Sequence, residues 1–219
     1  MNRFNQRELL ILALPLILCG TMYLLFAILV RWCGKDIGYL LGFAGYWLIF
    51  GLALPALLAG RVHFSSLLKD RTPLFTRQNW IAAMLWVIVT GVTLVMYGRG
   101  FLAGPLLLIL LAIPLATLNG FCEEIFWRGL FVKAFPNNPW LGIVYPAFGF
   151  ALWHFIPQSV FPADTVYVFI LSTLFLGLAY GTIAYRTGSA KWTAISHSLN
   201  GILALSGMLG PILLGVFVK

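Results

Sequence analysis

The chain has 219 residues, of which 61% are hydrophobic and only 9% are charged, and its mean hydropathy is +0.96. Because a soluble domain carries about a quarter charged residues, this composition excludes a soluble globular protein and favours an integral membrane protein. The net charge of +8 comes from basic residues between apolar runs, where they set orientation and meet anionic headgroups, so we expect a lipid bilayer and no nucleic acid as partner.

Apolar runs of membrane-spanning length recur along the chain. A transmembrane helix needs about 20 apolar residues, and such runs occur at about 9–30, 37–60, 80–98, 101–118 with an extension to about 136, 141–156, 164–185 and 192–216. The first run is too long for a signal-peptide core, so we interpret it as the first span. The sequence predicts an all-α polytopic membrane helix bundle of about seven (six to eight) transmembrane helices, forming one domain over residues 1–219.

The basic residues predict the orientation of these spans. The one long polar connection, residues 61–79, contains four Lys or Arg residues and should be cytoplasmic. With the N-terminus inside, the inner side collects Arg3, Arg7, Arg61, Lys69, Arg71, Arg77, Arg128, Lys133, Arg186 and Lys191, and the outer side has Arg31, Lys35, Arg99 and Lys219. We therefore expect a multi-pass protein of the cell (inner) membrane with a cytoplasmic N-terminus.

The stretch NGFCEEIFWRGL, residues 119–130, places two adjacent glutamates and an arginine inside a predicted span. Residues four apart share a helix face, so Glu124 and Arg128 can pair, whereas Glu123 points about 100° away and lacks a partner. An unpaired carboxylate in low dielectric accepts a proton more readily than one in water, which makes Glu123 a candidate general base. The alternative is an ion-paired packing contact or a glutamate that snorkels at a helix end.

Two of the three histidines also lie in apolar runs. His63 is in the polar connection, but His154 follows Phe150 by one turn, and Asn200 follows His197 on nearly the same helix face. Taken singly, each histidine could be a hydrogen-bonded packing residue. Because ionisable groups in membranes usually turn toward one another or toward a water-filled cavity, groups from three spans together predict a shared polar site.

The predicted turns place this site in the outer half of the bilayer. Glu123 and His154 each lie about 15 residues, or ~22 Å along a helix, from a turn near 136–139, and His197 lies ~14 Å from a turn near Gly188. Basic residues flank both turns, which should therefore be cytoplasmic. Since the hydrocarbon layer is about 30 Å thick and the loop at 157–163 has no Lys or Arg, we predict a site that opens toward the exterior.

These motifs resemble the CAAX prenyl protease and bacteriocin-processing (CPBP/Abi) family of glutamic-type intramembrane endopeptidases. That family shows EExxxR, then FxxxH, then a His followed by Asn or Asp, and the resemblance covers about residues 105–205. The matching positions here are Glu123, Glu124, Arg128, Phe150, His154, His197 and Asn200. One position departs from the pattern, since the family's last Asn or Asp stands four residues after the His, where this chain has Gly201.

The resemblance implies an endopeptidase that cleaves a membrane-associated protein or peptide without a cofactor or metal. In that reading Glu123 activates a water, His154 holds it, and His197 with Asn200 polarises the scissile carbonyl. The supporting residues would be Glu124, Arg128 and Phe150. An outward-facing site would suit exported or sorted proteins near their membrane anchor.

Several alternatives stay open at this level. One Glu and two His could hold Zn²⁺ in a zinc-dependent membrane protease, although no HExxH motif is present. A non-catalytic relative that binds a peptide or confers immunity would keep the fold, and Gly201 favours it. A transporter should show inverted repeats, and a lipid-modifying enzyme needs a headgroup site, neither of which is visible. The cysteines show no disulfide or metal spacing.

Overall fold

A computed structural model describes residues 4–59 and 64–208, and within them the chain forms seven long helical segments and no strand. They are α1 (Gln6–Cys33), α2 (Lys35–Ala59), α3 (Arg77–Leu102), α4 (Leu106–Ala134), α5 (Trp140–Val160), α6 (Val166–Thr187) and α7 (Lys191–Met208). The first six are long and apolar enough to cross a membrane. The predicted all-α membrane bundle is confirmed. His63, Arg3, Arg61, Lys219 and the end of the seventh predicted span lie outside the described residues.

Local sequence signals explain where several helices begin and end. Asn5 caps α1, because its side chain accepts from the Glu8 backbone N–H while the Glu8 carboxylate accepts from the Asn5 backbone N–H. Gly34, with φ +82°, joins α1 to α2, and Gly188, with φ +76°, ends α6. Both glycines occupy the left-handed region that other residues rarely adopt.

The helices alternate in direction, so the connections gather at two ends. The basic end contains residues 4–8, 64–79, 135–139 and 186–191, and the opposite end contains residues 33–35, 103–105 and 161–165. The described basic residues near the first end are Arg7, Lys69, Arg71, Arg77, Lys133, Arg186 and Lys191, and those near the second are Arg31, Lys35 and Arg99. Arg128, counted on the inner side by the sequence, is only 1% exposed and lies inside the bundle, within the span where the sequence pairs it with Glu124.

Hydrogen bonds and an ion pair from the loop at residues 64–79 fix the start of α7 at the basic end. The Asp70 carboxylate accepts from Ser189 Oγ at 2.5 Å and from Trp192 Nε1 at 3.0 Å, and it forms an ion pair with Lys191. The backbone N–H of Arg71 donates to the Thr187 carbonyl at 2.7 Å. Because α7 carries His197, these bonds also set the depth of that histidine in the bundle.

Small residues let α7 lie directly against α4. A Cβ atom added to Gly120 would stand 2.6 Å from Ser198 Oγ and 2.7 Å from the Ser198 backbone nitrogen, and one on Gly201 would stand 3.0 Å from Ala116 Cβ. Such close approach is typical of helix pairs in membranes, where no hydrophobic effect drives association. The contact brings His197 beside the paired glutamates. In α4, a π-helical stretch, Ile125–Leu130, follows those glutamates directly, as is common near functional sites.

Candidate active site

The predicted polar residues meet at one cavity inside the bundle. The cavity has a volume of about 270 Å³, and its wall includes Glu123 from α4, His154 from α5, and His197 and Asn200 from α7. Aromatic and small side chains complete it, together with the carboxamides of Asn119 and Gln158. The three spans named by the sequence therefore converge on a single site.

Glu124 lies at the buried base of this site. Its Oε1 accepts from Arg128 Nη1 at 2.8 Å and from His197 Nδ1 at 2.9 Å, so the predicted pair of Glu124 with Arg128 is present and also includes a histidine. Glu124 is 0% and Arg128 1% exposed. The Arg128 guanidinium also lies 4.3 Å from the centre of the Phe150 ring, a cation–π contact that compensates part of its desolvation. A buried charge pair of this kind is costly to break.

Glu123 is buried as deeply but is bonded differently. Its Oε1 accepts from Trp153 Nε1 at 3.2 Å, and its Oε2 has no hydrogen-bond partner among the described residues. His197 Nε2 lies 3.4 Å from Oε2, which is long for a hydrogen bond. One carboxylate oxygen is thus anchored, and the other is left without a partner in the wall of the cavity.

His154 is oriented by the backbone of its own helix. Its Nδ1 lies 2.7 Å from the Phe150 carbonyl oxygen, and because a carbonyl only accepts, Nδ1 carries the proton. The Nε2 atom of the neutral ring is then an acceptor. The Phe150 ring packs edge to face against both histidines, with centroids 4.5 Å from His154 and 6.1 Å from His197. Phe150 therefore holds His154 by its carbonyl group and separates the two imidazoles by its ring.

Asn200 lies in the cavity wall, but its unpartnered atom is an acceptor. Its Nδ2 donates to the Tyr180 hydroxyl at 2.9 Å, and its Oδ1 is buried without a hydrogen-bond partner in the described part of the chain. Gly201, at the position where the family pattern has an amide or acid, packs against Ala116 instead. The tight contact between α4 and α7 at this point gives a physical reason for a glycine there.

Sequence reasoning missed four polar residues around the site. They are Trp153, which bonds Glu123; Tyr180, which bonds Asn200 and Ser196; and the cavity-lining amides Asn119 and Gln158. Asn119 lies one helical turn from Glu123, and Gln158 lies one turn from His154. The helical period could therefore have predicted that both amides face the site. Nothing in the sequence places Tyr180 beside Asn200, because that contact depends on how α6 packs against α7.

The two serines that flank His197 and the cysteine before the glutamates make contacts outside the cavity. Ser196 Oγ bonds Thr90 and Tyr180, and Ser198 Oγ donates to the Thr117 carbonyl at 3.4 Å. Cys122 is buried against Gly51. Over residues 4–59 and 64–208, no group of three or more His, Cys, Asp or Glu side chains is arranged so that it could hold a metal ion.

Comparison with known proteins agrees with the motif resemblance. Residues 105–203 match the model of the family described as Type II CAAX prenyl endopeptidase Rce1-like. The matched segment contains all seven motif residues, and the family resemblance is thereby confirmed. The six apolar helices and this match support an integral multi-pass membrane protein and, at a coarse level, a peptidase. No curated protein and no solved structure matches the chain.

Proposed function

Because residues 105–203 match a family of membrane proteases, we propose that this protein is a glutamic-type intramembrane endopeptidase. The observation that carries the proposal is the arrangement of Glu123. One carboxylate oxygen is held by Trp153, the other has no hydrogen-bond partner among the described residues, and Glu123 lines a cavity together with His154 and His197. A carboxylate placed in this way can act as a general base toward a water molecule.

The proposed reaction gives each group a separate role. Glu123 Oε2 takes a proton from a water molecule while His154 Nε2 accepts a hydrogen bond from the same water. The water oxygen bonds to the carbonyl carbon, and the resulting oxyanion accepts from Nε2–H of His197. When the carbon–nitrogen bond breaks, the proton on Glu123 passes to the leaving amine. Asn200 completes the site, and its unpartnered Oδ1 favours an accepting role toward a substrate N–H.

Charge balance supports this assignment for His197. The site contains two buried carboxylates, Glu123 and Glu124, and one buried guanidinium, Arg128. With His197 protonated at both nitrogens, the charges sum to zero, and each imidazole N–H points at a carboxylate oxygen. Buried charges need such compensation. Protonated His197 would also provide the positively charged donor that an oxyanion requires.

The decisive experiment compares cells that carry the wild-type chain with cells that carry Glu123→Gln. The proposal expects at least one membrane protein to accumulate uncut in Glu123→Gln cells, and mass spectrometry of the membrane fraction identifies it. Purified wild-type protein in detergent should then cut that protein, and the Glu123→Gln protein should not. Equal processing by both proteins would overturn the proposed mechanism.

A non-catalytic peptide-binding or immunity protein is the second candidate. The observation in its favour is Gly201, which replaces the usual amide or acid of the last motif. Under this alternative no protein accumulates uncut, but a peptide still binds to both wild-type and Glu123→Gln chains. The same pair of proteins therefore separates the two functions. The zinc-dependent alternative has no supporting set of ligands among the described residues.

We also propose that the site serves the outer face of a cell (inner) membrane, with a cytoplasmic N-terminus. The excess of basic residues at the end that contains residues 4–8 supports this orientation. Asn119 and Gln158 line the cavity on the side of Glu123 and His154 that faces the opposite end. A substrate would then be an exported or sorted protein cut near its membrane anchor.

A further inference from the structure

Two carboxamides border the proposed catalytic groups toward the opposite end of the bundle. Asn119 precedes Glu123 by four residues in α4, and Gln158 follows His154 by four residues in α5. Because α4 and α5 run in opposite directions, each amide lies one helical turn beyond its catalytic neighbour on the same side. Both line the cavity. They therefore flank the path between the catalytic level and the opposite end.

The carbonyl oxygen of each amide is held by a group that can only donate. Trp47 Nε1 donates to Asn119 Oδ1 at 2.8 Å, and the Ala163 backbone N–H donates to Gln158 Oε1 at 2.6 Å. These bonds define which end of each amide is the oxygen. In the described part of the chain, the NH2 group of neither residue donates to another protein group. Gln158 is 7% exposed and lines the cavity, so its NH2 group can donate to an acceptor that enters there.

Asn200 presents the complementary group from the other wall. Its NH2 is used by Tyr180, and its buried Oδ1 has no partner in the described ranges. The cavity thus offers two amide donors and one amide acceptor around Glu123. A polypeptide main chain carries carbonyl acceptors and N–H donors in alternation, whereas a hydrocarbon chain carries neither.

We propose that Asn119, Gln158 and Asn200 bind the main chain of the substrate. Asn119 and Gln158 donate to carbonyl oxygens that flank the scissile bond, and Asn200 Oδ1 accepts from a substrate N–H. This inference rests on the proposed peptidase function and refines it. The substrate is an unfolded, extended segment, recognised through its backbone in the cavity, so that many side chains can be accepted there.

The test uses as substrate the membrane protein that accumulates uncut in Glu123→Gln cells. Three purified variants are compared with the wild-type protein. Two of them, Asn119→Leu and Gln158→Met, remove the whole amide without adding charge. The third, Asn119→Asp, keeps an acceptor for Trp47 and removes only the NH2 group. Asn138→Leu is the matched control, since Asn138 Oδ1 is also bonded by a backbone N–H, of Leu141, but lies exposed at the basic end. Thermal unfolding in detergent reports whether each variant is folded.

Loss of one hydrogen bond to the substrate should raise KM about fivefold to tenfold while kcat changes far less. We expect this for all three cavity variants and an unchanged KM for Asn138→Leu. An unchanged KM in folded Asn119→Asp and Gln158→Met overturns the inference and leaves the peptidase function standing. If no protein accumulates in Glu123→Gln cells, the proposed function fails, and this inference fails with it.

Discussion

His197 Nδ1 lies 2.9 Å from Glu124 Oε1, on the same oxygen that accepts from Arg128. Glu124 therefore orients the histidine and neutralises the guanidinium at once. Its neighbour Glu123 lies beside the other nitrogen of the imidazole, with Oε2 3.4 Å from Nε2. Two adjacent glutamates thus have different tasks, because the helix directs one toward the packed core and the other toward the cavity.

This difference predicts stability effects of different size for two isosteric substitutions. Glu124→Gln removes the charge that compensates Arg128 and His197, and breaking a buried pair costs about 3–5 kcal/mol, so we expect a clearly lower Tm together with loss of activity. Glu123→Gln should lower Tm far less, because His197 can release one proton and restore the charge balance, and it should still lose at least about 100-fold in turnover. Asp164→Asn, at an exposed carboxylate in the opposite-end loop, is the control for both measurements. A normal Tm in Glu124→Gln would contradict the structural role.

Chelation distinguishes the glutamic mechanism from zinc catalysis. If Glu123 alone activates the water, strong chelators should leave cleavage of the identified substrate unchanged. Elemental analysis of the purified protein should then find no stoichiometric metal. Recovery of a chelated, inactive sample on addition of Zn²⁺ would reject the glutamic mechanism.

The close contact of α4 with α7 predicts a strong effect of a single methyl group. In Gly120→Ala the new Cβ would meet the backbone of Ser198 at 2.7 Å, which must push His197 away from the glutamates. Overpacking of this kind costs about 1–3 kcal/mol, and activity should fall with Tm. Gly91→Ala is the matched control, because no atom lies within 4 Å of a Cβ at that helical position. Equal Tm values for the two variants would argue against the observed packing.

The native cysteines allow the orientation to be tested directly. Cys33 is exposed at the opposite end, whereas Cys122 is buried and Cys19 is partly buried. If that end faces the exterior, an impermeant thiol reagent should label the wild-type chain in intact cells, and Cys33→Ser should abolish the label. Asn137→Cys, placed at the exposed turn of the basic end in the Cys33→Ser background, should react only after permeabilisation. The reverse pattern would place the site toward cytosolic substrates.

The sequence alone determined the membrane class, the helix content and the motif residues from which the candidate site is built. Hydropathy reports spans because an apolar helix of that length is stable in lipid, and the period of 3.6 residues assigned Arg128 to Glu124 rather than to Glu123. The same period relates Asn119 to Glu123 and Gln158 to His154. Those relations are local, so they can be derived without knowing how helices pack.

Only the tertiary structure decided which groups from different helices meet. The contact of His197 with Glu124, the anchoring of Glu123 by Trp153, and the use of the Asn200 amide by Tyr180 join segments that lie far apart in the chain. Composition cannot reveal such contacts, because they depend on how closely small residues such as Gly120 let two helices approach and on how each helix is rotated about its axis.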